Sequence, residues 1–341
     1  LVPQSALDKN ATDWKLVIDG EVDNELSLSI DDLKNDFENV TLALVLECGG
    51  NGRAFFDPGA SGNQWTVGAV ANTGDGILAA EKLGAALDLM EDAWWGPTVP
   101  LVGAPWFALS ERNSPGSIIV NAQGERFMNE ALPYVEAVHE IYRGQATGVF
   151  HVPAWMIIDQ RYRNRYLFAG LSPRQPFPGR WLKSGVVRRA ATLEELAAQI
   201  EVPAERLRAT VERFNGFART GVDADFGRGE SAYDKYYSDP TVKPNQAPFY
   251  AVKIVPGDLG TKVGLVTDER ARVLRADGSA IPGLYAAGNC SAAGMGRTYA
   301  GPGATIGPAI TFGYLAAEAC AATTQASPGS IAETAPEKET A

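Results

Sequence analysis

Residues 288–308 read Gly-Asn-Cys-Ser-Ala-Ala-Gly-Met-Gly-Arg-Thr-Tyr-Ala-Gly-Pro-Gly-Ala-Thr-Ile-Gly-Pro, and no other stretch limits the fold so strongly. It follows a strand-like run, Ile281 to Gly288, and precedes a helical one, roughly Gly307 to Ala322. Glycine at this density lets backbone N–H groups approach a flat or anionic ligand, with a helix N-terminus aimed at it. A glycine-rich loop packed for structural reasons alone is the other reading. Cys290 reads as a small buried residue rather than a nucleophile, since nothing near it in sequence would lower its thiol pKa.

Composition removes most other chemistry. The 341 residues suffice for two domains. With 30 Lys+Arg against 41 Asp+Glu, the net charge of −11 argues against nucleic acid and leaves no cationic face for anionic lipid. No apolar run reaches the roughly 18 residues of a membrane span. The 36 glycines and 21 prolines over-supply loops. Three cysteines (Cys48, Cys290, Cys320) form no C-x-x-C pair, and two histidines (His139, His151) cannot build a His-rich metal site or a Ser-His-Asp triad. What remains is chemistry by tyrosines, backbone amides and a bound cofactor. The chain opens on Leu1 without a basic-then-apolar signal, which reads as a processed or truncated product.

The order of elements starts with β signals at Trp14–Gly20 and Thr41–Leu46, with a short helix near Ser29 and a Gly/Asn/Pro-rich loop over 49–64. A helix is predicted to begin from Asn72-Thr-Gly-Asp-Gly76, with Ile77, Ala80, Leu83/Gly84, Leu87 and Met90 near helical period. Residues 93–190 carry aromatics and prolines in loop-like order. Thr192-x-x-Glu195 is a capping box, and Pro203 opens a helix with Leu207, Val211, Phe214 and Ala218 on one face and Gly221 as its stop. Strands are predicted at Phe249–Val255 and Ile281–Gly288. The Ser/Thr/Pro/Glu-rich tail, 323–341, reads as disordered.

The blocks also carry a resemblance. Ile281-Pro-Gly-Leu-Tyr-Ala-Ala-Gly-Asn289 is similar to the second FAD-binding stretch of the fumarate reductase-like flavoproteins. Arg297-Thr-Tyr-Ala-Gly-Pro-Gly-Ala-Thr-Ile-Gly-Pro308 resembles the 3-ketosteroid Δ1-dehydrogenases in particular. Ala93-Trp-Trp-Gly-Pro97, Pro115-Gly-Ser-Ile-Ile-Val-Asn121, Arg126-Phe-Met-Asn-Glu130 and Asp159-Gln-Arg-Tyr-Arg163 extend the likeness over residues 71–322.

The resemblance implies an FAD enzyme that removes two hydrogens across C1–C2 of a 3-ketosteroid. On this sequence the hydroxyl of Tyr299 and the N–H of Gly303 would hold the C3 carbonyl as an oxyanion hole for the developing enolate. Tyr134 would act as the base at C2, with the hydride leaving C1 for the flavin. The family's third tyrosine, which helps that base, finds no counterpart here. Gly288, Asn289, Ala304, Thr305 and Ile306 would contact the cofactor. Trp106 and Phe107 would wall the steroid slot, or are ordinary core aromatics. The partners implied are a steroid and an unidentified electron acceptor, and the compartment implied is the cytoplasm.

The N-terminal part departs from that pattern. No G-x-G-x-x-G fingerprint for the FAD pyrophosphate precedes residue 71, and Gly49-Gly-Asn-Gly52 has the wrong spacing. Instead Trp14–Val22, Leu26–Leu33, Leu46-Glu-Cys-Gly-Gly-Asn-Gly-Arg53 and Trp65–Ala69 resemble the molybdopterin domain of sulfite oxidases and sulfite dehydrogenases. That likeness would make Cys48 a thiolate ligand of molybdenum and put Arg53 among anion-binding arginines; a buried free cysteine is the plainer reading. Val263, where a glycine is expected in Gly260-Thr-Lys-x-Gly264, threatens a clash or a positive φ. Lys243–Pro248 looks shorter than the family's passage.

The fold expected is α/β with an α+β insertion. Residues 71–115 and 248–322 would form a partial Rossmann-like FAD-binding domain, 116–247 an inserted catalytic, steroid-binding domain, and 1–70 a β-rich molybdopterin-domain-like fragment. A molybdenum sulfite dehydrogenase fragment and a non-catalytic fusion remnant are the alternative functions.

Overall fold

The computed structural model describes residues 15–18, 26–29, 65–69, 73–237 and 248–325, and the chain divides into two units, Leu1–Ala43 and Leu44–Ala341. In the first, β1 (Lys15–Ile18) and β2 (Leu26–Ser29) pair antiparallel with Lys15 opposite Ser29. Ser29, near which a helix is expected to begin, ends β2; the residues after it, the strand expected at Thr41–Leu46, Cys48, Arg53 and residues 243–247 lie outside the described residues.

The second unit is organised by one long strand. The helices among its described residues are α1 (Asp75–Glu81), α2 (Ser110–Asn113), α3 (Tyr134–Thr147), α4 (Gln160–Arg165), α5 (Gly179–Lys183), α6 (Leu193–Ile200), α7 (Ala204–Thr220), α8 (Ala232–Tyr237) and α9 (Ile306–Gln325). Between them run β3 (Leu87–Asp88), β4 (Ala93–Val99), β5 (Trp106–Phe107), β6 (Ile118–Val120), β7 (Ala154–Asp159), β8 (Val187–Ala190), β9 (Phe249–Thr261), β10 (Gly264–Leu265), β11 (Arg272–Leu274) and β12 (Ala280–Tyr285). The main sheet has the order β5-β4-β9-β7-β6, with β8 also on β9, and every pairing in it is antiparallel.

Both faces of this sheet are buried, and the alternation of side chains assigns each residue to a face. Ile119, Met156, Ile158, Val252 and Ile254 point into a core shared with Val135, Val138 and Ile141 of α3. Their neighbours Ile118, Val120, Trp155, Ile157 and Ala251 point the other way, against Leu196 and Ile200 of α6 and Leu207, Val211 and Phe214 of α7. A third, smaller core joins Ile77 and Ala80 of α1 to Leu265, Val273, Ile281, Leu284 and Cys290. Among the described residues no helix is long and apolar enough to cross a membrane.

The caps behave as their chemistry requires. Thr192 Oγ1 accepts the Glu195 N–H at 3.1 Å, and the Glu195 carboxylate accepts from Ala191 N–H at 3.0 Å. Gly221 stops α7 with φ 77°.

Four expectations are corrected. The helix expected from 72–76 to Met90 spans only Asp75–Glu81, because Gly84 turns at φ 84° and Leu87 joins β3, paired with β10. Residues 93–190 are mostly ordered elements. Pro97, one of the prolines that suggested loops, stands in β4 opposite Pro256 of β9, where neither needs to donate. Val263 is fully buried with no positive φ. The close approach falls one residue later, where any Cβ on Gly264 would strike the Ser291 backbone. The last helix also runs past Thr323, to Gln325.

The block Arg126–Glu130 earns its place through buried charge. Glu130 is wholly inaccessible and accepts from Arg126 Nη2 at 2.8 Å, Arg228 Nη1 at 3.1 Å and the Ile119 N–H of β6 at 3.0 Å. Arg126 also donates to Asp223 at 2.8 Å, and Arg228 to the Ser117 carbonyl at 2.7 Å. Burial alone would push the Glu130 carboxyl up, but the two guanidinium groups hold it below the ordinary value of 4.5. A carboxylate held low contributes stability above its unfolded pKa and loses it as pH falls through the folded one. Glu130→Gln is therefore expected to cost about 3–5 kcal/mol at neutral pH. Urea unfolding should show the gap to the parent narrowing as pH drops below 4.5.

Candidate active site

The glycine-rich segment is strapped down by backbone bonds before it can present anything. Beyond β12 the chain turns at Gly288, whose φ is 66°, into a short 3-10 turn that buries Cys290. Ser291 bridges Leu265 in parallel, Ala292 N–H donates to the Leu265 carbonyl at 2.9 Å, and Ala293 N–H to that of Lys262 at 3.1 Å. The bare Cα of Gly264 is what allows this approach. Further on, Gly301 and Gly303 adopt φ 111° and 95°, which favours glycine at both. Gly307 N–H then returns to the Gly303 carbonyl at 2.8 Å and starts α9.

Two adjoining features result. The first is a cavity of about 350 Å³ whose lining includes Trp94, Lys262, Gly288, Asn289, Ala304 and Thr305. Four of the five cofactor candidates meet there. Ile306 does not line it; its side chain is exposed at the first position of α9. The second is an aromatic cluster. The Tyr134 and Tyr299 rings lie 4.4 Å apart, Phe107 meets Tyr134 edge-on at 5.2 Å, and Trp94 meets Tyr299 edge-on at 6.0 Å. Tyr299 and Tyr134, 165 residues apart in sequence, are thus brought together. Gly303 stands four residues beyond Tyr299, and no described residue accepts its N–H. Phe107 sits against Gly96, where any Cβ would collide with its ring, while half-exposed Trp106 donates from Nε1 to Glu111 at 2.8 Å.

Trp94 belongs to both features, lining the cavity and meeting Tyr299. It was not singled out from sequence, nor were Asp92 and Lys262. Lys262 directly follows β9 with its side chain inaccessible. It stands 4.8 Å from the Trp94 ring centroid and 3.6 Å from the Asp92 carboxylate. Burial lowers its pKa, with the charges of Asp92 and Glu136 acting in the opposite sense. Asp92 is itself held by the Ala93 N–H and the Trp95 Nε1–H, at 2.9 and 2.8 Å. A lysine flanked by Thr261, Val263 and Gly264, with no acidic neighbour in sequence, was the available signal.

A flavin ring fits this cradle on three observations. The cavity is of a size for a flat ring system rather than a whole dinucleotide. The Nε1–H of Trp94 is buried without a hydrogen-bond partner among the described residues. The Thr305 and Ile306 N–H groups precede the first bond of α9 and leave its positive end toward the cavity rim. Among the described residues no cluster of His, Cys, Asp and Glu could hold a metal ion.

Comparison with known proteins agrees with this geometry. A family of FAD binding domains matches residues 16–306. A 3-oxosteroid 1-dehydrogenase of Mycolicibacterium smegmatis is 67% identical over 276 residues, covering 77% of this chain and 48% of that protein. A 4-oxocyclohexanecarboxylate 2-dehydrogenase of Sinomonas cyclohexanicum is 43% identical over 261 residues, covering 72% of this chain and 44% of that protein. The crystal structure of 3-ketosteroid Δ1-dehydrogenase from Sterolibacterium denitrificans, in complex with 1,4-androstadiene-3,17-dione, superposes with a TM-score of 0.77 at 37% identity. That alignment covers 91% of this chain and 58% of the other. The chain spans about half the length of the curated relatives it matches. The family match runs through most of the stretch likened to sulfite oxidases, and nothing in the comparisons bears on a molybdenum site. With a glycine cradle, an unpartnered indole N–H, a helix start at the rim and a match over most of its length, the chain belongs to the FAD binding domain family.

Proposed function

We propose that this chain carries the ketone-gripping and flavin-facing part of an FAD-dependent 1,2-dehydrogenase of 3-ketosteroids. The observation that carries the reading is the Tyr134–Tyr299 pair, 4.4 Å between ring centroids, reached from the cavity through Trp94. The relatives' names narrow the substrate class. One acts on a 3-oxosteroid and another on a 4-oxocyclohexane ring. A six-membered cyclic ketone, desaturated next to its carbonyl, is common to both.

The residues divide the work by charge. No described residue hydrogen-bonds the Tyr299 hydroxyl, so it is available to donate to the ketone oxygen beside the Gly303 N–H. Donors aimed at that oxygen stabilise the negative charge that develops when C2 loses its proton. Tyr134, whose ring is tilted 38° against that of Tyr299, acts as base in its phenolate form, its own hydroxyl proton already released, and receives the C2 proton at that oxygen. Gly288, Asn289, Ala304, Thr305 and Trp94 would hold the flavin, which when bound supplies the acceptor for the hydride from C1. The positive end of α9, at the cavity rim, would favour negative charge on a ring bound there. Phe107 contributes an apolar wall beside Tyr134, whereas Trp106, the adjacent residue of β5, donates its indole N–H to Glu111.

Reconstitution with FAD, followed by assay of 1,2-dehydrogenation of a 3-keto-4-ene steroid with an artificial acceptor, tests the proposal. Tyr299→Phe should lower kcat by about 10²–10³-fold, the usual loss for one oxyanion donor. Tyr134→Phe should lower it by about 10²–10⁴-fold while leaving flavin absorbance unchanged. Normal turnover by either variant would refute the role given to that tyrosine.

A further inference from the structure

The peptide bond between Thr298 and Tyr299 is held at both ends by opposite charges. Its carbonyl oxygen accepts from Lys262 Nζ at 2.9 Å. Its N–H donates to Glu136 Oε1 at 3.0 Å. The same ammonium also takes the Gly296 carbonyl at 3.1 Å. We propose that Glu136 and Lys262 form a two-ended clamp on this peptide, and thereby fix the phenol of Tyr299 beside that of Tyr134. They are positioning residues, and their catalytic consequence rests on the reading given under Proposed function.

The electrostatics favour a single orientation. A peptide unit has a dipole of about 3.5 D, with its negative end at oxygen. Here the oxygen faces an ammonium and the N–H faces a carboxylate, so both ends make charge-assisted bonds, roughly twice the strength of neutral ones. Turning the peptide over would put oxygen against carboxylate and N–H against ammonium, and both contacts would become repulsive. The surroundings make that reversal costly. The Lys262 side chain is wholly inaccessible, and Glu136 Oε2 is buried with no hydrogen bond among the described residues.

The clamp is tied to the other tyrosine through one helix. Tyr134 and Glu136 both lie in the first turn of α3, so this turn meets the ring of Tyr299 and holds its backbone together. Five residues after Tyr134, His139 Nε2 lies 3.2 Å from Asp92, whose other oxygen stands 3.6 Å from Lys262. The path from α3 through Asp92 and Lys262 to Thr298 and back through Glu136 is therefore closed. Such a loop is needed because Gly294, Gly296, Gly301 and Gly303 leave the segment around Tyr299 with little stiffness of its own.

Amide exchange and ring contacts, read by NMR on the chain without cofactor, test the clamp independently of turnover. Glu136→Ala should speed exchange of the Tyr299 amide at least about 10-fold, leave the amides of Val252 and Ile254 in β9 unchanged, and abolish the Overhauser contact between the Tyr134 and Tyr299 rings. Glu136→Gln, which keeps an oxygen at the same reach, should restore most of the protection and the contact. Lys262→Met should resemble Glu136→Ala; if it does not fold, the Glu136 pair decides. In the FAD-reconstituted chain, Glu136→Ala should lower kcat by about 10–100-fold with KM moved less than about 3-fold, the loss expected from a misplaced group. Unchanged exchange at Tyr299 in Glu136→Ala overturns the clamp, as does a Gln variant no better than Ala. If exchange and ring contact respond as stated but the parent chain dehydrogenates no 3-ketosteroid, the clamp stands and the substrate reading falls.

Discussion

The thirteen residues of β9 are the constraint on which the rest of this architecture depends. Its first half pairs with β7 and β8 and its second half with β4, so one strand ties together segments drawn from residues 93–99, 154–159 and 187–190. Its interior is sealed on both faces, by α3 on one side and by α6 and α7 on the other. A strand held so completely cannot slide by one residue without turning every core side chain to the wrong face. The position of its end is fixed accordingly, and Lys262 is the first residue past that end. The ammonium that grips the glycine-rich segment is thus placed by backbone pairing far from the site.

The two parts of the site are built from different materials. Around the cavity, backbone dominates: Gly288 supplies a left-handed turn, Gly264 admits the Ser291 backbone, and the start of α9 leaves N–H groups free of intrahelical partners. Around the tyrosines, side chains dominate, with Phe107, Tyr134, Tyr299 and Trp94 in successive contact. A cradle of amides suits a ligand whose shape does not change from one enzyme to the next. A wall of aromatic side chains can be altered residue by residue. This division is consistent with relatives that share the family but differ in the ring they are named for.

The legible parts of this fold are those where one local rule decides. Thr192 and Glu195 define a helix start through two hydrogen bonds within five residues, and Gly221 defines a stop through its own φ. The strand–glycine loop–helix order at 281–325 is equally local; Gly288, Asn289, Ala304 and Thr305, which the family resemblance singles out, line one cavity. The parts that escaped depend on partners remote in sequence. Pro97 looked like a loop residue until Pro256 stood opposite it, and Leu87 looked helical until β10 paired with it. In α3, Val135, Val138 and Ile141 carry a readable helical spacing, but Pro133 and the aromatics upstream masked its start. Lys262 has only its uncharged flanks as a local signature, because the Asp92 and Glu136 charges that explain it lie 170 and 126 residues away.

Glycine explains why charge is needed at this place. A segment that must bring its amides close to a ligand has to shed side chains, and each glycine adds backbone freedom that folding must remove. Apolar packing cannot restore the order, since the side chains that would pack are the ones given up. Hydrogen bonds from rigid neighbours can, and they hold best when the partner is ionised and shielded from water. Lys262 and Glu136 meet both conditions, one at the end of a fully paired strand and the other in the first turn of a buried helix. The flexible loop therefore takes its shape from two stiff elements on either side of it, and the tyrosine between them is oriented by bonds to its main chain, which leaves its hydroxyl uncommitted to any described residue.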